Sequence, residues 1–277
     1  MPKESANAFS NSLERALVIL EMVGHAQGGL TNSAISRELG IATSSCSYIL
    51  TRLERKGFLT RNAETGRYCV GLAVLALAQG VLREMGFRSL AEPTLYWLVD
   101  KTGLSASIGV LQGGRILLVD RLESPNSVAE ANRVPRWDRI HSVSARGKIR
   151  RLGLRDIGQE LPAHSNALGK AVLAHMPRQQ VIKVVSEFGL SRSTPYTIVS
   201  LEKLFEELEQ VKRQGYAVAK EEQHIGIYAI AAPIFDRSSN VLAAVSIAGA
   251  PADPAWDEMH ELVQLVREAG RKISNNA

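Results

Sequence analysis

The sequence predicts an α+β protein with an N-terminal winged helix-turn-helix, a connecting helix and a C-terminal domain built on an antiparallel sheet. Two short helical patterns joined by a tight turn occupy residues 31–57, and two strand patterns follow them. After residue 87, strand patterns occur in hairpins with helical patterns between them. This order of elements indicates an α+β fold with a largely antiparallel sheet.

A pair of helices is predicted by the stretch TNSAISRELGIATSSCSYILTRLERKGFL. Thr31 suits the N-cap of the first helix, and Gly40 suits a left-handed position at its end. The second helix is predicted over residues 43–56. Its apolar positions recur at helical spacing and are Cys46, Ile49, Leu50 and Leu53. Two short helices joined by a tight turn match the helix-turn-helix motif.

The other face of the second helix carries hydroxyl groups near its start and cations near its end. Small side chains let a helix enter the DNA major groove closely, and Arg or Tyr then reaches base edges or phosphates. The candidate DNA-binding residues are Thr31 at the start of the first helix and, in the second helix, Thr43, Ser44, Ser45, Ser47, Tyr48, Thr51 and Arg52. A solvated helix in any small bundle is the alternative interpretation.

A hairpin is predicted directly after the helix pair. Residues 58–61 and 67–70 have strand character, and a polar loop separates them. Such a wing would bring Arg61 and Arg67 beside the second helix, where they could contact phosphates. From residue 31 to residue 61, five basic residues stand against two acidic ones, a net charge of +3 that suits double-stranded DNA.

Two further helices are predicted beside the winged motif. An apolar stripe at Leu13, Ala16, Leu17 and Leu20 predicts a helix that packs behind the pair. Residues 72–85 form a helical pattern that is apolar on more than one side. We interpret it as a connecting helix that also dimerises the DNA-binding domain, and the alternative is burial on its own second domain.

The composition is that of an ordinary globular protein, with 45% hydrophobic and 22% charged residues in a chain of 277. The net charge of +5 is compatible with a nucleic-acid partner. No apolar run approaches the ~18 residues of a membrane span, and no signal-peptide core is present, so we expect a cytoplasmic protein without membrane contact. Cys46 and Cys69 are expected to be reduced thiols.

The C-terminal part begins with a helical pattern at residues 88–102. Strands are predicted at 105–111, 115–120, 216–219, 228–235 and 241–247. Ser165 is expected to cap a helix at residues 166–175, and Ser200 to cap one that ends at Gly215. Further helices are expected near residues 179–188 and 256–266.

Four stretches in this order resemble the isocitrate lyase regulator (IclR) family of bacterial transcription factors. They are SLERALVILEMV with the helix-turn-helix and GFL, LPAHSNALGKAVLA, GYAVAKEEQHIGIYAIAAPIFD, and VLAAVSIAGAP. The resemblance covers essentially the whole chain. It implies a DNA-binding domain over residues 1–71, a linker and dimerisation helix over 72–86, and a GAF-like effector-binding domain over 87–277. It also implies a homodimer or homotetramer whose DNA affinity responds to a small metabolite, commonly an organic acid.

The family's effector pocket corresponds to the ALGKA turn, the segment around the adjacent glutamates and the VSI strand. The matching residues are Ala167, Leu168, Gly169, Ala219, Glu221, Glu222, Ala229, Ser246 and Ala248. A helix that starts within residues 165–169 would offer free N–H groups to a carboxylate, and a tight packing site is the alternative interpretation. Three positions, at residues 219, 229 and 248, hold alanine where some relatives carry polar side chains. The pocket is therefore expected to be more apolar and its ligand larger or aromatic.

One segment has no counterpart in the family pattern. It is a basic insertion at about residues 125–155. From Arg121 to Arg155, nine basic residues stand against three acidic ones, a net charge of +6. A solvated surface, a subunit contact and an additional DNA contact are all open interpretations.

The sequence lacks the motifs of an enzyme. Glu221, Glu222 and His224 form a compact acid and histidine cluster, but metal-ligand spacing is absent, as are the GxSxG, P-loop and Rossmann glycine patterns. We therefore predict no catalytic residue, metal or cofactor. The alternative is a small-molecule-binding α+β enzyme with a DNA-binding-like accessory domain. The preferred mechanism is allosteric, because an effector can shift the population between DNA-competent and incompetent arrangements.

Overall fold

The computed structural model describes residues 11–84, 86–124, 150–151 and 157–275. The chain divides into two compact units, Met1–Met85 and Gly86–Ala277.

Helices α1 (Ser12–His25), α2 (Asn32–Leu39) and α3 (Thr43–Arg55) form the body of the N-terminal unit. The Thr31 hydroxyl accepts the Ala34 N–H at 3.3 Å and caps α2. Gly40 ends α2 with a φ of 64°, a left-handed conformation that glycine adopts without steric cost. Ser36 donates to the Ile41 carbonyl at 2.8 Å, so the sharp connection between α2 and α3 is hydrogen-bonded.

Strands β1 (Leu59–Arg61) and β2 (Tyr68–Val70) pair antiparallel and form the wing. A bridge between Leu30 and Tyr68 joins the α1–α2 connection to the hairpin. Asn62 shapes the wing loop, because its Oδ1 accepts the N–H groups two and three residues further on. The predicted winged helix-turn-helix is therefore confirmed.

A hydrophobic core joins these helices to the wing. Its buried members include Ile19, Val23, Ile35, Leu39, Cys46, Ile49, Leu50, Leu59 and Tyr68. The stripe predicted for α1 is wrong in part, because Leu13 and Leu17 are 68% and 53% exposed while Ile19 and Val23 are buried. The helix is apolar around much of its circumference, so spacing alone did not identify the inward face.

Helix α4 (Ala73–Glu84) ends the N-terminal unit. Gly71, just before α4, leaves no room for a side chain, because an added Cβ would lie 2.1 Å from the Gly57 carbonyl oxygen. Large apolar side chains are exposed on α4 and just before it, namely Leu72, Leu75, Leu77 and Val81. An exposed apolar surface of this kind is typical of an interaction site.

The described strands of the C-terminal unit form a seven-stranded sheet. They are β3 (Ser105–Gln112), β4 (Arg115–Glu123), β5 (Arg150–Arg151), β6 (Glu160–Pro162), β7 (Ala217–Lys220), β8 (Tyr228–Phe235) and β9 (Val241–Gly249). Their order is β5-β4-β3-β9-β8-β7, and β6 pairs with another part of β4. The pairings are antiparallel. The predicted α+β class with an antiparallel sheet is confirmed.

The helices of this unit cover both faces of the sheet. They are α5 (Gly86–Thr102), α6 (Ala167–Leu173), α7 (Arg178–Phe188), α8 (Leu201–Gln214) and α9 (Met259–Ser274). Leu168 of α6 packs with Ala231 in one core cluster. An added Cβ at Gly270 of α9 would lie 3.2 Å from Ala232 Cβ. Since adjacent strand residues project from opposite faces, α6 and α9 lie on opposite sides of the sheet.

The start of α6 differs from the prediction. Ser165 belongs to a short 3-10 helix, Ala163–Ser165, and Asn166 is the N-cap of α6. Asn166 Oδ1 accepts the Gly169 N–H at 2.8 Å. Serine and asparagine are both good N-caps, and the preceding 3-10 turn selects the second of the two adjacent candidates.

The predicted basic insertion lies mostly outside the described residues. Strand β5 is the described part, and it pairs with Leu122 and Glu123 of β4. Arg121, which opens the basic segment, lies within β4 itself.

Replacing Gly29 with alanine is expected to destabilise the N-terminal unit more than the same change at Gly28. Both glycines have positive φ, 74° and 78°, so both changes carry a left-handed strain of about 1–2 kcal/mol. An added Cβ at Gly29 would also lie 2.5 Å from the Tyr68 carbonyl oxygen, whereas nothing lies within 4 Å at Gly28. Urea unfolding of both variants measures the difference, and equal midpoints would contradict the close contact.

Candidate functional site

The outward face of α3 is polar and open to solvent. Its exposed side chains are Thr43, Ser44, Ser45, Tyr48, Thr51, Arg52 and Arg55, and Ser47 is half-buried. Cys46, Ile49 and Leu50 are buried on the opposite side. The residues predicted to contact DNA on this helix therefore share one surface.

Several of the predicted hydroxyl groups also stabilise the local fold. Thr31 caps α2, and the Thr43 hydroxyl lies 3.3 Å from that of Ser36. Thr51 donates to the Ser47 carbonyl at 2.9 Å, within the same helix. These bonds hold the three threonine side chains in fixed positions.

Tyr48 and Arg52 form an ordered pair one helical turn apart. The Arg52 guanidinium donates to the Tyr48 hydroxyl at 2.9 Å, and its central carbon lies 4.9 Å from the centre of the Tyr48 ring. Tyr48 is nevertheless 60% exposed, so the pair projects into solvent. A shallow groove of about 470 Å³ passes the pair and is lined by Ser44, Ser47, Tyr48, Thr51, Arg52 and Arg55.

The two wing arginines have different surroundings. The Arg61 guanidinium lies 5.6 Å from the centre of the Tyr68 ring. Arg67 donates to the Gly29 carbonyl at 2.9 Å and ties the wing to the α1–α2 connection. Both side chains are exposed, so both positive charges remain open to a polyanion.

The α6 side of the sheet is lined by small residues in register. One row across β7, β8, β9 and β3 consists of Ala219, Ala229, Ala248 and Ser105. The next row also reaches β4 and consists of Ala217, Ala231, Ser246, Ser107 and Arg121. Paired residues of antiparallel strands project on the same side, so both rows face one space. Four of the predicted effector residues are thereby brought together.

Helix α6 packs very closely beside these rows. Ala167 and Leu168 are buried, and an added Cβ at Gly169 would lie 2.0 Å from the Ala163 carbonyl oxygen. The Gly169 N–H is already bonded to the Asn166 side chain. One of the N–H groups that were expected to bind a carboxylate at the start of α6 is therefore already occupied. The geometry favours the packing interpretation for Gly169, because no larger residue fits there.

Glu221 and Glu222 follow β7 and differ in their contacts. Glu221 has a φ of 57°, and its carboxylate accepts the Gly226 N–H at 2.8 Å within the β7–β8 loop. The Glu222 carbonyl accepts the Thr197 hydroxyl at 2.6 Å, and Thr194 donates to the Glu221 carbonyl at 2.6 Å. The glutamate pair is thus anchored to the segment that precedes α8.

A buried ion-pair cluster joins α6, α8 and the loop after β7. Lys170 is fully buried, and its Nζ lies 2.8 Å from Glu207 Oε1 and 2.7 Å from Glu222 Oε1. Glu222 Oε2 is buried without a hydrogen-bond partner among the described residues. Lys170 and Glu207 were not among the predicted site residues. The available indication was a lysine inside the apolar run ALGKAVL, since a buried lysine requires counter-charges.

Burial shifts protonation equilibria in this unit. Desolvation raises the pKa of Glu222, and the positive charge of Lys170 opposes that rise. Desolvation lowers the pKa of His164. It also lowers the pKa of His175, and the nearby charge of Lys212 lowers it further. Both shifts favour the neutral form of the imidazole ring.

Among the described residues, no group of three or more His, Cys, Asp or Glu side chains is placed to hold a metal ion. In the part of the chain that the structure describes, none of the helices combines the length and hydropathy of a transmembrane span.

An open helix-turn-helix surface beside a basic wing, followed by an α+β unit with a small-residue face, defines the class of DNA-binding transcriptional regulators with a ligand-binding domain. A family model described as IclR helix-turn-helix domain matches residues 12–63. A second model, described as bacterial transcriptional regulator IclR C-terminal, matches residues 152–275. Together these matches span more than half of the sequence, and the chain belongs to the IclR family of bacterial transcriptional regulators.

Similarity to individual relatives extends over nearly the whole chain. The HTH-type transcriptional repressor AllR of Salmonella typhimurium is 27% identical over 270 residues, which cover 98% of this chain and 91% of AllR. The HTH-type transcriptional regulator XynR of Escherichia coli is 26% identical over 263 residues, which cover 95% of each protein.

Solved structures share the architecture. The Thermotoga maritima IclR protein is 26% identical, with a TM-score of 0.68 and coverage of 97% of this chain and 99% of that one. An IclR homologue from Microbacterium hydrocarbonoxydans, complexed with 4-hydroxybenzoate, is 23% identical with a TM-score of 0.75. That match covers 96% of this chain and 98% of the homologue. The predicted family and fold are confirmed.

Removal of the Lys170 ammonium is expected to destabilise the C-terminal unit strongly. The variant Lys170→Met leaves the carboxylates of Glu207 and Glu222 without their shared cation, which typically costs about 3–5 kcal/mol. Lys203→Met, at an exposed position on α8, is the control. Urea unfolding measures both variants. A loss no larger than that of the control would show that the cluster contributes little to stability.

The raised pKa of Glu222 predicts a pH-dependent stability difference. The folded protein binds this proton more tightly than the unfolded chain does, so its contribution is complete below the ordinary pKa of 4.5 and is lost as the pH rises through the raised value. The unfolding free energy of the wild type relative to Glu222→Gln should therefore increase as the pH falls from neutrality towards 4.5. Urea unfolding across this range tests the sign, with the exposed Glu202→Gln as control. A difference that stays flat or decreases contradicts the expectation.

Proposed function

We propose that this protein is a sequence-specific regulator whose operator binding is controlled by a small carboxylate or aromatic metabolite. The observation that carries the proposal is the open face of α3, where the ordered Tyr48–Arg52 pair projects beside exposed serines. Family membership supports the same function. The proposal includes no catalytic residue, metal or cofactor, and no observation favours the enzyme alternative.

In the proposed complex, α3 lies in the DNA major groove. Ser44, Ser45 and Ser47 allow close approach, and Thr43 and Thr51 border the same surface. The Tyr48–Arg52 pair is already ordered, so less side-chain entropy is lost when it contacts a base edge or a phosphate.

Phosphate contacts are proposed at both sides of α3. Arg61 and Arg67 of the wing are exposed and charged, which suits the neighbouring backbone. Thr31 lies at the start of α2, where a helix N-terminus favours an anion. These contacts would fix the orientation of α3 without reading sequence.

A homodimer or homotetramer is proposed because large apolar side chains are exposed in the N-terminal unit. They are Leu13 and Leu17 on α1, and Leu72, Leu75, Leu77 and Val81 on and before α4. Exposed large apolar side chains of this kind suit contact with a second copy of the chain. A two-fold axis would place two copies of α3 in successive major grooves.

The effector is proposed to bind on the sheet face that α6 borders. Ala219, Ala229 and Ala248 leave apolar room there, which suits an aromatic or branched carbon skeleton, and Ser246 supplies a hydroxyl. Residues of the surrounding segments are Ala167, Leu168, Gly169, Glu221 and Glu222. The complex of the Microbacterium hydrocarbonoxydans homologue with 4-hydroxybenzoate, an aromatic carboxylate, supports this ligand class.

Control of DNA binding is proposed to be allosteric and to take place in the cytoplasm. Effector binding would bias the population between DNA-competent and incompetent arrangements, with a coupling free energy of ~1–3 kcal/mol. The proposed division assigns DNA binding to residues 1–71, dimerisation to 72–86 and effector binding to 87–277.

Fluorescence anisotropy tests the proposal with purified protein and labelled DNA. The DNA that flanks the protein's own gene is compared with scrambled DNA of the same composition at low and physiological salt. Tight binding that survives physiological salt only on the native DNA is expected for a sequence-specific regulator. Equal, salt-sensitive binding to both DNAs would contradict sequence specificity.

The variant Arg52→Ala is expected to weaken operator binding by about 1–3 kcal/mol, because it removes the cation of the ordered pair. Tyr48→Phe should have a smaller effect, since it removes the hydroxyl that orients Arg52 and keeps the ring. If Arg52 contacts only phosphate, the loss will be similar on all DNA sequences and the salt dependence will fall. Arg271→Ala, an exposed position on α9, is the matched control. Unchanged binding by Arg52→Ala would remove this residue from the interface.

A further inference from the structure

The proposed pocket needs a partner for a ligand carboxylate. Lys170 is fully buried and bonded to two carboxylates, so its ammonium is not available to an anion. The Gly169 N–H is bonded to its helix cap. On that side of the sheet, Arg121 of β4 lies in the same row as Ser107 and Ser246 and contributes a basic side chain.

Arg121 lies in register with two serines. It pairs with Ser107 on β3, and Ser107 pairs with Ser246 on β9. The three side chains therefore project next to one another from the same face. Ser107 and Ser246 are buried, whereas the Arg121 side chain is 27% exposed. The row thus combines two hydroxyl groups with a cation that reaches the surface.

The guanidinium of Arg121 is held in position but not fully hydrogen-bonded. It forms an ion pair with Glu123, whose Oε2 accepts the Ser105 hydroxyl at 2.8 Å. Ser105 in turn accepts the Ser124 N–H at 3.2 Å. Arg121 Nε is buried and has no hydrogen-bond partner among the described residues. A buried donor without an acceptor is unfavourable, so this group is suited to an additional acceptor.

We infer that Arg121, together with Ser107 and Ser246, binds the carboxylate of the effector. This inference rests on the proposed function, because it concerns the same pocket. A guanidinium donates two parallel bonds to a carboxylate, and hydroxyl groups supply further donors. Ala229 and Ala248 form the adjacent row and suit the carbon skeleton. The ligand class is therefore a carboxylate with an apolar or aromatic body.

Glu123 holds the guanidinium of Arg121 in place. The ion pair fixes one side of the guanidinium, so a ligand carboxylate meets donors that are already oriented.

Titration of the full-length protein with benzoate and with its neutral analogue benzamide tests the inference. Nuclear magnetic resonance follows the arginine Nε–Hε groups and the alanine methyl groups, and Arg121→Lys assigns the Arg121 resonance. Benzoate is expected to shift the resonances of Arg121 Nε, Ala229 and Ala248, whereas benzamide, a neutral molecule with one acceptor oxygen, should shift the Arg121 resonance much less. Arg121→Gln should weaken benzoate binding about tenfold or more, the loss of one charge-assisted contact.

Arg115→Gln is the matched control. Arg115 lies on the same strand, but the β3–β4 register shifts by one residue between Ile108 and Gly109 and so reverses the alternation of faces. Arg115 therefore projects from the face opposite to Arg121, and benzoate affinity should remain that of the wild type. If Arg121→Gln fails to fold, Ser107→Ala is expected to weaken benzoate binding through the same subsite.

Two results would overturn the inference. Methyl shifts without a shift of Arg121 would retain the pocket but reject the carboxylate contact. The absence of any Arg121 shift with benzoate or with acetate would reject it as well. Operator binding is measured in parallel without ligand. A protein that binds benzoate through Arg121 but shows no operator preference would contradict the proposed function and leave this inference intact.

Discussion

The buried ammonium group of Lys170 is the contact on which the C-terminal unit most depends. It lies between carboxylates of Glu207 and Glu222, and so connects α6, α8 and the loop after β7. Charges removed from water are tolerated only when they are paired, so these elements keep their relative positions. Glu222 also accepts the Thr197 hydroxyl through its carbonyl, which adds the segment before α8. A ligand held between α6 and the sheet would therefore influence these elements as a unit.

In the proposed mode of DNA binding, the two faces of α3 have separate roles. Cys46, Ile49 and Leu50 fix α3 in the core, while Tyr48 and Arg52 pair on its exposed side. Because the buried face sets the orientation of α3, substitutions on the exposed face would alter the proposed DNA contacts without loss of the fold. Glycines and caps at the α2–α3 turn set the angle at which this surface is presented.

The effector site proposed on the sheet would combine apolar contacts with a localised polar row. Ala219, Ala229 and Ala248 are paired neighbours on three strands, and their side chains are short. Arg121 joins the neighbouring row only through strand pairing, since it precedes Ser246 by more than a hundred residues. The close packing of Gly169 against Ala163 fixes the start of α6 beside the proposed site.

The sequence by itself determined the helix-turn-helix, the wing and five of the seven described strands of the C-terminal sheet, because caps, glycines and hydrophobic periodicity are local properties. The family followed from the resemblance of four sequence stretches. Periodicity was insufficient for α1, where Leu13 and Leu17 remain exposed, since a broadly apolar helix does not define its inward side. The sequence also did not identify the N-cap of α6, because the adjacent residues Ser165 and Asn166 are both suitable caps. Only the tertiary structure decided that Lys170 meets partners 37 and 52 residues away, because such pairs depend on helix packing and strand register.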